Sequence, residues 1–246
     1  MSELESFFLH GQHRLIHKWH HYFDIYDRHF REIRDAKAAK GERVNLLEIG
    51  ISHGGSLQMW NDYFKGNVNI YAVDINPECK KFETENVKIF IGSQQDVAFL
   101  QQLKSSLPKV DILIDDGGHT MKQQIVSFEQ LYDHVADNGI YLCEDLHTSY
   151  WKSHGGGYKK KRSFIEYSKN FIDKLHAWHM PRSRYFPNKN TVDYLVRNCY
   201  ALHYYDSILV MEKRPVRRPY DEKAGTPGIA DEHVDELMVD RNAPEQ

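Results

Sequence analysis

Val44-Asn45-Leu46-Leu47-Glu48-Ile49-Gly50-Ile51-Ser52-His53-Gly54-Gly55 is the stretch whose reading decides the fold. An apolar run of strand length meets an acidic residue, then a glycine-bearing turn, then a helical pattern from Gly55 to Phe64. A run that is apolar throughout, rather than alternating, fits a strand covered on both faces, as in a parallel sheet. The unit recurs outward along the chain, with further runs at Asn69 to Val73, Val87 to Ile91, Asp111 to Ile114 and Ile140 to Cys143. Helical segments lie between and after them at Asp96 to Leu103, Thr120 to Val135 and Arg162 to Trp178. Alternating strands and helices predict an α/β fold with a mostly parallel sheet. Near the end, Ala201 to Tyr205 and Ile208 to Glu212 are separated by Asp206-Ser207, the form of an antiparallel hairpin. Together these runs predict seven strands within a domain of residues 41–213.

Before that domain, Phe8, Leu15, Trp19, Tyr22, Phe23, Tyr26 and Phe30 recur at three and four, which predicts one or two amphipathic helices within residues 1–40. Their apolar surface suits packing on the sheet or a homo-oligomeric contact. His17, His20 and His21 read as a helix surface or subunit contact rather than a metal store. Residues 214–246 are proline-rich and charged with few apolar anchors, which predicts a mobile tail.

Bulk properties bound the function. The 246 residues fit one domain with appendages, and 41% hydrophobic content is ordinary for a water-soluble chain. A net charge of −3 with interspersed signs gives no field for a nucleic-acid backbone or an acidic membrane surface. Cys79, Cys143 and Cys199 show no paired spacing, and no apolar run reaches membrane-spanning length. With no leader pattern, a reducing cytoplasm is the expected compartment.

In an open parallel sheet, ligands sit beyond the carboxyl ends of the strands. Gly50 and Gly54 let the backbone approach such a ligand, and Ser52 lies in the same turn. The spacing is not the dinucleotide GxGxxG, and Glu48 before the turn suits a ligand carrying positive charge. Asp74, followed by Ile75, closes the second strand where a carboxylate can take a ribose diol. Ser93 and Asp96 follow the third strand, near an adenine. The outline is an adenosine with a cationic substituent, and S-adenosyl-L-methionine is such a molecule.

Two acidic pairs complete the pattern, in Asp115-Asp116-Gly117-Gly118-His119 and Glu144-Asp145-Leu146-His147-Thr148-Ser149-Tyr150-Trp151. Adjacent parallel strands present both pairs at one sheet edge. Asp116, Glu144 and Asp145 are candidate ligands for a hard divalent cation, and Asp115 is a candidate cofactor contact. His119 is a candidate proton acceptor. Thr148 to Tyr158, with its aromatics and three glycines, reads as a lid or as an ordered surface loop.

With its acidic-Gly-x-x-x-Gly turn, the chain resembles class I methyltransferases, whose fold is Rossmann-like. DDGGH followed by EDLHTSYW resembles more narrowly the metal-dependent sugar O-methyltransferases of macrolide biosynthesis, grouped with cephalosporin-hydroxylase-like proteins. The resemblance runs from about Trp19 to Lys213. It implies methylation of a hydroxyl on a small-molecule glycoside or a glycan, with Mg2+ on Asp116, Glu144 and Asp145 and His119 as base. The chain departs from the family in reading Gly92-Ser93-Gln94, where an acidic residue commonly follows the glycine. A catechol or phenol acceptor, or a non-catalytic scaffold of the same fold, are the alternative readings. Residues 181–198 and 151–158 are the expected sources of acceptor specificity.

Overall fold

The computed structural model describes residues 2–179 and 194–228. Strands β1 (Val44–Ile49), β2 (Val68–Asp74), β3 (Val87–Ile91), β4 (Val110–Asp115), β5 (Val135–Cys143), β6 (Cys199–Tyr205) and β7 (Ile208–Lys213) form one sheet in the order β3-β2-β1-β4-β5-β7-β6. The first five are parallel, and β7 enters antiparallel between β5 and β6. This is the Rossmann-like, mostly parallel seven-stranded architecture that the sequence predicted, with its antiparallel C-terminal hairpin.

The helices are α1 (Glu3–His10), α2 (Tyr22–Ala39), α3 (Gly55–Tyr63), α4 (Val97–Ser106), α5 (Met121–Leu131), α6 (Phe164–Leu175) and α7 (Tyr194–Asn198). Strand side chains alternate between two faces, and both faces are covered, which is why the strands read as unbroken apolar runs. One core layer joins Leu46, Ile70, Ile112, Leu142 and Val210 to Phe23, Tyr26 and Phe30 of α2 and Trp60 of α3. The other joins Leu47, Val73, Leu113, Tyr141 and Leu209 to helices α4, α5 and α6.

Several boundaries differ from the sequence reading. The helix expected over Thr120 to Val135 stops at Leu131, a short 3-10 turn follows at Tyr132–His134, and Val135 already pairs with Val110 in β5. The helix expected from Arg162 starts at Phe164, because the Ser163 hydroxyl caps it by accepting from the Glu166 amide. Leu15 and Trp19, together with His17, His20 and His21, are not helical: residues 11–21 run irregularly from α1 to α2. Arg14 pins this segment to the glycine turn, its amide donating to Gln58 Oε1 at 2.8 Å and its guanidinium to the Gly54 carbonyl. The aromatic face of α2, offered by its periodicity to a second subunit, lies inside the core instead, with Tyr22, Phe23, Tyr26 and Phe30 all buried. The described part of the tail, 214–228, carries no regular element; Arg214 and Val216 are half-buried, their amides donating to the Asn198 and Arg197 carbonyls, and the residues from 217 on are exposed. The rest of the tail and residues 181–193 of the expected specificity segment lie outside the described residues, while Tyr194–Asn198 forms α7.

Phe30 joins α2 to α3, its ring 5.9 Å from that of Trp60. Phe30→Ala should lower stability by about 3–5 kcal/mol in urea unfolding. A change under about 1 kcal/mol would mean that α2 does not belong to the sheet's core.

Candidate functional site

The carboxyl ends of the parallel strands are in register, Ile49 beside Val73 and Asp115, and Asp115 beside Cys143. The strand order reverses direction at β1 and β4, the position where open sheets form ligand crevices. A cavity of about 760 Å³ opens there. Gly50, Ser52, Asp74, Ile75, Ser93, Asp116, His119 and Asp145 line it, joined by Leu15 to Lys18 of the irregular N-terminal segment.

The turn after β1 is held tightly. Gly50 has φ 84°, and a Cβ there would lie 2.1 Å from the Asp116 carbonyl oxygen, so the two loops touch only because the residue is glycine. Asp74 Oδ2 accepts from the amides of Ile51 and Ser52 at 3.0 Å each, and Oδ1 accepts from the Asn76 amide at 2.9 Å. Asp74 therefore shapes the turn as well as facing the cavity.

Beside the turn lies a charged cluster. The Lys18 ammonium, 3% exposed, donates to Asp116 Oδ2 at 2.5 Å and Glu144 Oε2 at 2.7 Å. Tyr26 donates to Glu144 Oε1 and Tyr22 to Asp145 Oδ1, each at 2.7 Å. Burial pushes the Asp116 carboxyl up to about 7 and Glu144 up to about 8, with Lys18 opposing both. Lys18 itself is held well above its ordinary value, because the two carboxylates outweigh its burial. The cluster thus keeps the ammonium charged and leaves Asp116 Oδ1 and Asp145 Oδ2 turned toward His119 Nε2, at 3.8 and 3.3 Å. These three groups lie within 4.8 Å of one another, two carboxylate oxygens that suit a hard divalent cation with an imidazole beside them. Burial lowers the His119 imidazole below its ordinary value, so it is neutral at physiological pH, and its buried Nδ1 has no hydrogen-bond partner. Ser52, His119 and Asp145 all hold positive φ, at 45°, 53° and 55°, a strained setting for non-glycine residues.

Five of the sequence candidates do not line the cavity. Gly54, with φ 70°, instead gives its carbonyl to the Arg14 guanidinium. Glu48, fully buried, accepts from Ser56 under α3, and burial pushes its carboxyl up to about 7. Asp115 turns to the opposite face and accepts from Gln94 Nε2 at 2.9 Å. Asp96 caps α4, accepting from the amides of Ala98 and Phe99. Glu144 has both carboxylate oxygens engaged by Lys18 and Tyr26, so it lies a layer beneath the open donors rather than among them. The Thr148 to Tyr158 stretch is an ordered loop tied by Gly156 to Trp151 and Gly157 to Ser149, and it does not line the cavity.

Two residues escaped the sequence reading. Lys18 had no local signal beyond being a lone cation among aromatics. Gln94 donates to Asp115 and Ser127 and accepts from the Gly118 amide at 2.7 Å, so it fixes the loop that carries Asp116 and His119. It stands next to Ser93, the residue found where an acidic one was expected to follow the glycine.

Residues 47–146 match the family described as methyltransferase domain. The chain carries a methyltransferase domain. Its curated relatives include proteins named as O-methyltransferases. Demethylmacrocin O-methyltransferase of Streptomyces fradiae is 32% identical over 238 residues, covering 92% of this chain and 56% of that protein. Mycinamicin VI 2''-O-methyltransferase of Micromonospora griseorubida is 31% identical over 223 residues, covering 87% and 52%. A solved structure of MycE methyltransferase, from the mycinamycin biosynthetic pathway and in complex with Mg and SAH, aligns with a TM-score of 0.74 at 30% identity, covering 87% of this chain and 54% of that one. The chain therefore spans about half the length of the relatives it matches.

Lys18→Met should destabilise the methyltransferase domain by about 3–5 kcal/mol at pH 8, because it leaves buried carboxylates without their cation. The sign follows from linkage: carboxyls whose folded pKa is raised bind extra protons in the folded state, so the variant loses stability as pH rises. Urea unfolding at pH 5.5 should show the smaller deficit, and an equal deficit at both pH values would contradict the charge account.

Proposed function

We propose that the chain transfers a methyl group from S-adenosyl-L-methionine to a sugar hydroxyl of a glycoside or glycan, in a magnesium-dependent reaction. The observation that carries the reading is that the Asp116, Asp145 and His119 donors open onto the same cavity as the glycine turn and Asp74. Gly50 and Ser52 would admit the cofactor's backbone-side approach, with Asp74 beside its ribose and Ser93 and Ile75 beside its adenine. Relatives named 8-demethyl-8-alpha-L-rhamnosyl tetracenomycin-C 2'-O-methyltransferase and L-olivosyl-oleandolide 3-O-methyltransferase, whose names carry a sugar, support the acceptor class.

Asp116 Oδ1 and Asp145 Oδ2 would hold Mg2+, with Glu144 and Lys18 fixing Asp116 from beneath. When bound, the ion lowers the pKa of an acceptor hydroxyl. His119 would take the proton of the acceptor hydroxyl as its oxygen receives the methyl group in line, the electrons of the carbon–sulfur bond passing to sulfur. The products are a methyl ether and S-adenosylhomocysteine. Tyr22 holds Asp145, and the left-handed backbone at His119 aims its ring at the carboxylates.

A phenol acceptor would call for a lysine base, and Lys18 is near enough. Its two carboxylate partners keep it protonated, however, so it serves as a fixed cation rather than a base. The geometry favours an alcohol with His119 as its base.

His119→Ala should lower kcat by about 10²- to 10⁴-fold while leaving S-adenosylhomocysteine affinity nearly unchanged. Turnover at the parent rate would remove His119 as base. Burial holds the His119 imidazole below its ordinary value, so the acid limb of the wild-type pH–rate profile should contain a step that the residual rate of His119→Ala lacks. The same acid limb in the variant would contradict the assignment.

A further inference from the structure

Away from the cavity, where α2 crosses the edge hairpin, two histidines and a glutamate converge. His203 on β6 stands opposite Val210, and Glu212 on β7 stands opposite Ala201. The pleat therefore sends both to the face that packs on α2, the face that also holds Ile208 and Val210. His29 descends from α2 to meet them, its ring centroid 4.7 Å from that of His203. His203 Nε2 lies 2.8 Å from Glu212 Oε1, and one donor atom from each of the three residues falls within a sphere of mutual distances of 4.8 Å. None of the three lines the cavity described above.

We propose that His29, His203 and Glu212 form a second metal site, one for Zn2+ or a similar transition-metal ion. Two imidazoles and one carboxylate are a recurrent zinc donor set, completed by a water or other ligand in the fourth tetrahedral position. Ligands at about 2.0–2.1 Å from the ion stand about 3.4 Å apart, so side-chain rotations of modest size close the triad. The surroundings prepare it. Glu212 Oε2 accepts from Arg214 Nη2 at 3.1 Å, which fixes the carboxylate and leaves Oε1 for the ion. The Tyr205 hydroxyl lies 2.9 Å from His29 Nε2, an outer contact of the kind that orients a ligating ring. Burial, with His203 beside it, pushes the His29 imidazole down to about 4, so it is neutral as a ligand must be.

The two clusters would sort cations by chemistry. Carboxylate oxygens at Asp116 and Asp145 suit a hard ion, whereas paired imidazoles select a borderline one. An ion on His29, His203 and Glu212 would also tie α2 to β6 and β7, fastening the helix whose N-terminal end supplies Tyr22 and Tyr26 to the charged cluster. The inference stands apart from the methyl-transfer reading, since neither requires the other.

The test uses the metal-stripped 246-residue chain titrated with Zn2+ in the calorimeter and with Co2+ in the absorption spectrometer. Expected is one zinc ion bound and a tetrahedral cobalt spectrum, both retained in His119→Ala. His203→Ala and Glu212→Gln should each weaken zinc at least tenfold and bleach the cobalt bands, while the metal-free variants melt within a few degrees of wild type. Should His203→Ala fail to fold, the near-isosteric Glu212→Gln decides. Zinc affinity unchanged by either substitution, a cobalt spectrum lost in His119→Ala instead, or no binding of zinc at micromolar concentrations would each overturn the site.

Discussion

The ion pair of Lys18 with Asp116 and Glu144 is the constraint on which the site depends. A buried ammonium is tolerated only when opposite charge reaches it, and two strand-end carboxylates from β4 and β5 do so. The pairing has consequences in three directions. It draws the irregular segment 11–21 across the cavity mouth, where Arg14 fastens it to the glycine turn. It engages Glu144, so the open donors are Asp116, Asp145 and His119. It also joins the N-terminal helices to the sheet's chemistry, so they are part of the site and not an appendage to it.

Most of the fold was legible in the sequence, because strands covered on both faces leave continuous apolar runs and their ends carry glycine or acid. β1 and β3 fall where the runs place them, and the hairpin turns at Asp206-Ser207 as read. The N-terminal aromatics misled on one point: a spacing of three and four continues through Leu15 and Trp19, yet Gly11 ends α1 and the chain is held irregular by contacts to the glycine turn that local pattern cannot reveal.

The site was legible in part, and the pleat explains the division. Each side chain within a strand stays on one face of the sheet, so Glu48 of β1 lies under α3 and Asp115, the last residue of β4, turns toward Gln94 and Tyr141. Asp116, one residue past β4, and Asp145, two residues past β5, face the cavity. Glu144 follows the parity of Leu142 toward α2 and meets Tyr26. Asp96 obeyed a local rule instead, capping α4 as an acidic residue before an apolar run commonly does. Lys18 was illegible because its partners lie 98 and 126 positions away.

The most direct test is calorimetric titration of S-adenosylhomocysteine into metal-stripped chain, repeated with Mg2+ present. The glycine turn is held by Asp74 through hydrogen bonds within the protein, apart from the proposed Mg2+ ligands, so micromolar binding is expected in both conditions. Absence of binding in both would contradict the cofactor assignment and leave the domain as a scaffold of methyltransferase fold.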